Sequence, residues 1–123
     1  MRDHKKLRAF ELADEMAILI YKGTVGFPKE EIYGLTSQMR RSSVSVVSNI
    51  VEGCARESQT EYVRFLEIVY GSLKELQYQY SLANRLGYFK NLNNKEKEYE
   101  LKFIELEKVL GGLIKALKIS KSL

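Results

Sequence analysis

The chain has 123 residues, 45% of them hydrophobic and 29% charged, with a formal net charge of +4. That is one domain's worth of chain, long enough to bury roughly two-thirds of its unfolded surface around a core of its own. One cysteine (Cys54) and one histidine (His4) exclude an intramolecular disulfide and a cysteine-rich zinc site, and leave little basis for Ser/His or Cys/His catalysis.

Four helices are expected, and no β-hairpin signal competes with them. The first runs from about Lys6 to Thr24, with Phe10, Ala13, Ala17 and Ile20 at helical spacing and Leu12, Met16 and Leu19 widening the stripe. Gly26-Phe27-Pro28 stops it. The second runs from about Thr36 to Gly53, with Thr36 or Ser37 as cap and Gly53 as its end. The third opens on Ser58-Gln59-Thr60-Glu61, the S-x-x-E pattern of a capping box. Its seam is Tyr62, Leu66, Val69, Leu73, Leu76, Tyr80 and Ala83, a sustained alternation of four- and three-residue steps. Asn84 to Gly87 closes it.

The fourth helix follows Asn91-Leu92-Asn93-Asn94, where an asparagine can cap. It carries Tyr99, Phe103, Leu106, Leu110, Leu113 and Leu117 on one stripe. Gly111-Gly112 inside it costs roughly 1 kcal/mol per glycine relative to alanine, to be offset by close helix approach or expressed as a kink. Short connections make the helices antiparallel neighbours. The expected fold is all-α: one antiparallel up-down-up-down four-helix bundle over residues 1–123, ~27–42 Å long at 1.5 Å per residue.

That topology puts both termini at one end. Arg2, Lys5, Lys6 and Arg8 then meet Lys115, Lys118 and Lys121, forming a basic pole on a chain whose remainder is slightly acidic. Terminal lysines that only aid solubility are the simpler reading. If the pole is functional, these seven side chains are the candidate contacts to nucleic-acid phosphates. No apolar run reaches the ~18–20 residues of a membrane span, and no signal-peptide run follows the N-terminus. A cytoplasmic, non-enzymatic module without cofactor or metal is expected. Glu52, Glu57 and Glu61 lack the Glu-x-x-His pairs of di-iron bundles.

The second helix is unusual. One ridge reads Gln38, Arg41, Ser45, Asn49, Glu52 and Arg56, with serine and asparagine where a solvated face normally carries lysine and glutamate. The third helix offers Phe65, Ile68, Ser72, Glu75 and Gln79 beside its seam. Opposed residues of an antiparallel hairpin have a nearly constant index sum, and a turn near residues 57–58 sets Arg41 against Glu75, Ser45 against Ser72, Asn49 against Ile68 and Glu52 against Phe65. An Arg41–Glu75 salt bridge and a Ser45–Ser72 contact are expected, with Gly71 admitting closer approach. Losing one partner of the salt bridge in a dry site would cost on the order of 3–5 kcal/mol. Two readings of the ridge stand: a polar network that fixes register or seals a subunit interface, or a ligand-contacting cluster of Asn49, Glu52 and Arg56. Tyr70 and Tyr78 fall off the seam, as exposed or interface residues.

Several segments together resemble a known family. Glu31-Ile32-Tyr33-Gly34-Leu35-Thr36-Ser37-Gln38-Met39-Arg40-Arg41 is similar to the E-x-Y-G-L-T-S-Q-x-R-R signature of the four helix bundle proteins, also called 23S rRNA-intervening-sequence proteins. Ser45 to Gly53 resembles their S-V/I-x-x-N-I-A-E-G segment, with Val51 where alanine is usual. Glu61-Tyr62, Arg64-Phe65-Leu66 and Gly71-Ser72-Leu73-Lys74-Glu75-Leu76 resemble two further segments, and Phe27-Pro28 resembles the F-P before the second helix. The resemblance implies a bacterial, self-assembling bundle, a ring of five copies, with similarity in fold to basic accessory proteins that bind nucleic acid and a reverse transcriptase. The expected partners are other copies of the chain and RNA or another nucleic acid. The alternative is a structural adaptor for a protein partner.

Overall fold

The computed structural model describes residues 2–89 and 95–122, with side chains described as far as Ser120. Its four helices are α1 (Arg8–Thr24), α2 (Leu35–Cys54), α3 (Gln59–Arg85) and α4 (Glu96–Ser122). Each packs on its two neighbours in a square: α1 on α2, α2 on α3, α3 on α4 and α4 on α1. Among the described residues neither diagonal pair brings its backbones as close. That is the four-helix bundle expected from the chain's periodicity. The asparagine cap expected for α4 and the side chain of Lys121 lie outside the described residues.

The heptad seam of α3 is buried along its whole length, from Tyr62 to Ala83. Tyr99, Phe103, Leu106 and Leu110 of α4 are buried opposite it, while Leu113 and Leu117 are only half-covered. On α1 the buried line is Ala9, Leu12, Ala13, Met16 and Ile20; Phe10, Ala17 and Leu19 flank it. The core stripe is therefore rotated toward Leu12 and Met16 relative to the expected one. Phe27, Tyr80, Phe89, Tyr99 and Phe103 form an aromatic cluster, with ring centroids 5.0–5.8 Å apart, at the end away from the termini.

The helix ends are set by local chemistry. Ser58 Oγ accepts the Glu61 amide at 3.0 Å, as a capping residue does. At the other end of α3, Gly87 has φ +77, and the Gly87 and Tyr88 amides donate to the Asn84 and Ala83 carbonyls at 3.0 Å. This double closure needs the left-handed conformation that glycine adopts without penalty. The start of α2 corrects the sequence reading, because neither Thr36 nor Ser37 caps it. Gly34 occupies the cap position without a side-chain bond. Glu31, held in the preceding single turn Lys29–Glu31, accepts the Leu35 amide at 3.0 Å through Oε1 and the Tyr88 hydroxyl at 2.8 Å through Oε2. These two donors hold the Glu31 carboxyl below its ordinary range, the amide first.

The glycines also differ from expectation. A Cβ on Gly71, Gly111 or Gly112 would meet nothing within 4 Å, so none of them marks a close approach within the bundle. The close approaches between helices are at Gly23, where a Cβ would lie 2.5 Å from Tyr99 Oη of α4, and at Gly53, where a Cβ would lie 2.8 Å from Phe65 Cβ. Gly53 lies within α2, one residue before its last, and its missing side chain is what brings α2 onto α3.

Candidate functional site: a polar groove and a basic end

The ridge of α2 faces α3 in the expected register. Ser45 Oγ and Ser72 Oγ are hydrogen-bonded at 3.0 Å. Asn49 Nδ2 donates to the Ser45 carbonyl at 2.8 Å and to Ser45 Oγ at 3.0 Å. With its oxygen accepting from Asn49, the Ser45 hydroxyl is free to donate to Ser72, so the three polar groups form one chain. Above this floor lies a groove of about 490 Å³ lined by Gln38, Arg41, Ser42, Ser45, Ser72, Glu75 and Gln79.

The expected Arg41–Glu75 ion pair is not formed. Both side chains line the groove from opposite walls, both are exposed, and neither takes part in an ion pair among the described residues. The index sum sets two residues level along the helix axes but does not bring their side chains together. In an isolated chain, truncating Arg41 leaves no buried charge behind, so the large cost expected for a dry site does not apply. Two groove residues were missed as site residues. Ser42 is buried, and Gln79 carries a buried Oε1 without a hydrogen-bond partner. The signal for Ser42 was present, since Gln38, Ser42, Ser45 and Asn49 also step by four and three.

Asn49, Glu52 and Arg56 do not converge on one site. Asn49 bonds back into α2, whereas Glu52 is exposed and pairs with Arg56 at 2.9 Å, one helical turn away. Arg56 in turn lies over the Phe65 ring at 4.8 Å, and its Nε is buried without a partner. The ligand-cluster reading of these three residues is thus split between the hairpin tip and the groove floor.

The basic end follows from the topology. Arg2 Nη1 donates to the Arg56 carbonyl at 2.8 Å, and its guanidinium stacks on Tyr62 at 4.1 Å. Gln59 Nε2 donates to the Leu117 carbonyl at 2.9 Å, so the N-terminal segment and the end of α4 both meet the start of α3. A depression of about 570 Å³ there is lined by Arg2, Ala55, Arg56 and Glu57.

The end is less basic than the residue count implies. Arg8 is paired with Glu11 at 2.9 Å and Glu105 at 2.6 Å, and Lys118 with Glu67 at 2.9 Å. Lys5, Lys6 and Lys115 are exposed and make no ion pair among the described residues. No group of three or more metal-ligating side chains occurs among the described residues. Cys54 is buried, and burial pushes its thiol up, the reverse of an activated nucleophile. No described helix is long and apolar enough to cross a membrane.

The fold and these surfaces define a small helical bundle with a polar seam between two of its helices. The sequence pattern of the 23S rRNA-intervening sequence proteins matches residues 5–112, and the chain belongs to that family. A solved structure from Bacteroides thetaiotaomicron, described as a protein with unknown function from the S23 ribosomal protein family, matches with a TM-score of 0.74 at 24% identity. The match covers 87% of this chain and 98% of that one, and at this identity it is a likeness of fold. A comparison with curated proteins finds no match.

Proposed function

We propose that the protein is a non-catalytic, self-assembling four-helix bundle that binds RNA in the cytoplasm through the end where its termini meet. The observation that supports this reading is the juxtaposition of Arg2 and Arg56 around one depression, with Lys5, Lys6 and Lys115 exposed without ion pairs on the adjoining segments. Such an array contacts phosphate oxygens without reading sequence.

Binding of a fluorescently labelled single-stranded RNA, followed by anisotropy across salt concentrations, tests the reading. Affinity is expected to fall steeply as salt rises, because each phosphate contact releases counterions. The triple variant Lys5→Glu, Lys6→Glu, Lys115→Glu is expected to weaken binding at least tenfold at low salt and to flatten the salt slope. Absence of binding at low salt, or a salt-independent affinity, would overturn it. A protein partner is the second reading. It is favoured by an apolar groove of about 420 Å³ between α3 and α4, lined by Glu67, Tyr70, Gly71, Gly111 and Ile114. A purified complex with one defined protein and no RNA absorbance would support that alternative.

A further inference from the structure

We infer that the groove between α2 and α3 is a binding site for a small zwitterion, a free polar amino acid, whose carboxylate meets Arg41 and whose ammonium meets Glu75 and Gln79. The inference goes beyond the RNA-binding reading and shares no residue with it.

The two walls of the groove differ in chemistry. The α2 wall brings the Arg41 guanidinium, a planar fork of donors that matches a carboxylate. The α3 wall brings two acceptors one helical turn apart, the Glu75 carboxylate and the Gln79 side-chain carbonyl. Gln79 Oε1 is buried and has no donor within the bundle, a state that costs free energy until an N–H reaches it. Arg41 and Glu75 take part in no ion pair among the described residues. The floor adds a donor. Asn49 Nδ2 donates to Ser45 Oγ, and Ser45 and Ser72 share the next bond at 3.0 Å. In the sense that runs from Asn49 through Ser45 to Ser72, the Ser72 hydroxyl keeps its own proton for an acceptor in the groove.

These groups select the ligand by charge. A simple anion suits Arg41 and is repelled by Glu75, and a simple cation meets the reverse. A molecule carrying both a carboxylate and an ammonium satisfies both walls at once, and an amino acid carries the two on one carbon. The ammonium has three protons, enough for Glu75 and the orphaned carbonyl of Gln79 together. A cleft of about 490 Å³ is within the size range of small-molecule sites and much larger than an inorganic ion requires. Gln38 and Ser42, also on the α2 wall, leave hydrogen-bonding groups for the ligand's side chain, which favours a polar side chain over an apolar one.

Saturation-transfer difference NMR on the full chain tests this, with L-glutamine, L-asparagine and L-serine as probes. At least one is expected to bind with a dissociation constant of about 1 mM or below, within reach of a ligand this small. For L-glutamine, the N-acetyl derivative removes the ammonium and the α-amide removes the carboxylate, and each is expected to bind at least tenfold more weakly than the parent; an L-asparagine or L-serine site is tested with the same two derivatives of that amino acid. The variants assign the two ends. E75Q should weaken the parent amino acid at least tenfold and erase its advantage over the N-acetyl derivative, whereas R41Q should erase its advantage over the α-amide. Both variants should keep wild-type helicity by circular dichroism, since both positions are exposed. No binding of any probe up to about 10 mM, equal affinity for the parent and both derivatives, or variants that bind as wild type would each overturn the site. RNA binding is read separately in the anisotropy assay, so either reading can fail while the other stands.

Discussion

Replacing Gly53 with alanine is expected to destabilise the bundle by about 1–3 kcal/mol, the usual cost of forcing an extra carbon into a packed contact. Helix propensity alone gives the opposite sign, because alanine is favoured over glycine by roughly 1 kcal/mol inside a helix. The contact decides against propensity. The new Cβ would lie 2.8 Å from Phe65 Cβ and 3.4 Å from Tyr62 Cδ1. The nearest obstacle is the root of a side chain, which moves only if α3 moves. Any retreat of α3 also lengthens the Ser45–Ser72 hydrogen bond, about two turns up the same helix pair. A denaturant melt compares the two proteins, and Gly112→Ala is the control. Gly112 has open space at the Cβ position, so propensity should rule there and the variant should be slightly more stable. Equal stability of Gly53→Ala and wild type would mean that α2 and α3 are not in close contact at this level.

Alkaline conditions are expected to unfold the protein between pH 10 and 12. Burial pushes Tyr62, Tyr80 and Tyr99 from the ordinary value of 10.0 up to about 12. All three are core residues, exposed by no more than 5%. A phenol with a higher pKa in the folded chain than in the unfolded one holds its proton more tightly when folded. Below pH 10 both states keep the proton and stability is unaffected. From pH 10 upward the unfolded chain releases protons that the native chain retains, so stability falls with each step in pH. Each unit of difference is worth about 1.4 kcal/mol per tyrosine, and three groups titrating together rival the ~5–15 kcal/mol that holds a domain folded. Tyrosinate absorbance should therefore rise in two stages, exposed phenols first and the core three together with loss of helical dichroism. Tyr80 is the informative substitution. Its hydroxyl is buried without a hydrogen-bond partner. Tyr80→Phe should be at least as stable as wild type at pH 7, and its alkaline transition should move upward. Native circular dichroism persisting to pH 12 would contradict this account of the core.

Much of the fold was legible because periodicity reports which side of a helix is dry. The α3 seam, its serine cap and its glycine stop each rest on local rules, and local rules survive folding. The Ser45–Ser72 contact was legible for a different reason. A short hairpin fixes how far two antiparallel helices can slide, so index sums pair residues along the axis. The same sums say nothing about rotation around the axis. Arg41 and Glu75 are level with each other, yet both lie on the outer lips of the groove. Glycines were illegible in the same way. Gly53, Gly71 and Gly111 look alike in a sequence, and only the rotation of each helix decides which one touches a neighbour. The Glu31 cap escaped because it comes from a single turn lying outside the helix it caps. Of the polar cluster read from the sequence, Gln38, Arg41, Ser45, Ser72 and Glu75 line one groove, but the sequence did not show that Asn49 and Arg56 lie at different ends of the ridge.

The packing of Ser45 and Asn49 of α2 beside Ser72 of α3 supports the groove and the reading of Gly53 alike. Its most direct test is a crosslink between Ser45→Cys and Ser72→Cys in a chain whose native thiol is removed by Cys54→Ala. Hydroxyls 3.0 Å apart leave room for sulfurs to bridge with a small side-chain rotation. Mild oxidation should close one disulfide inside each chain, seen as faster migration on a non-reducing gel, unchanged mass per chain and wild-type helicity. Thiols that stay free, or that join only different chains, would show that these two helix faces do not meet.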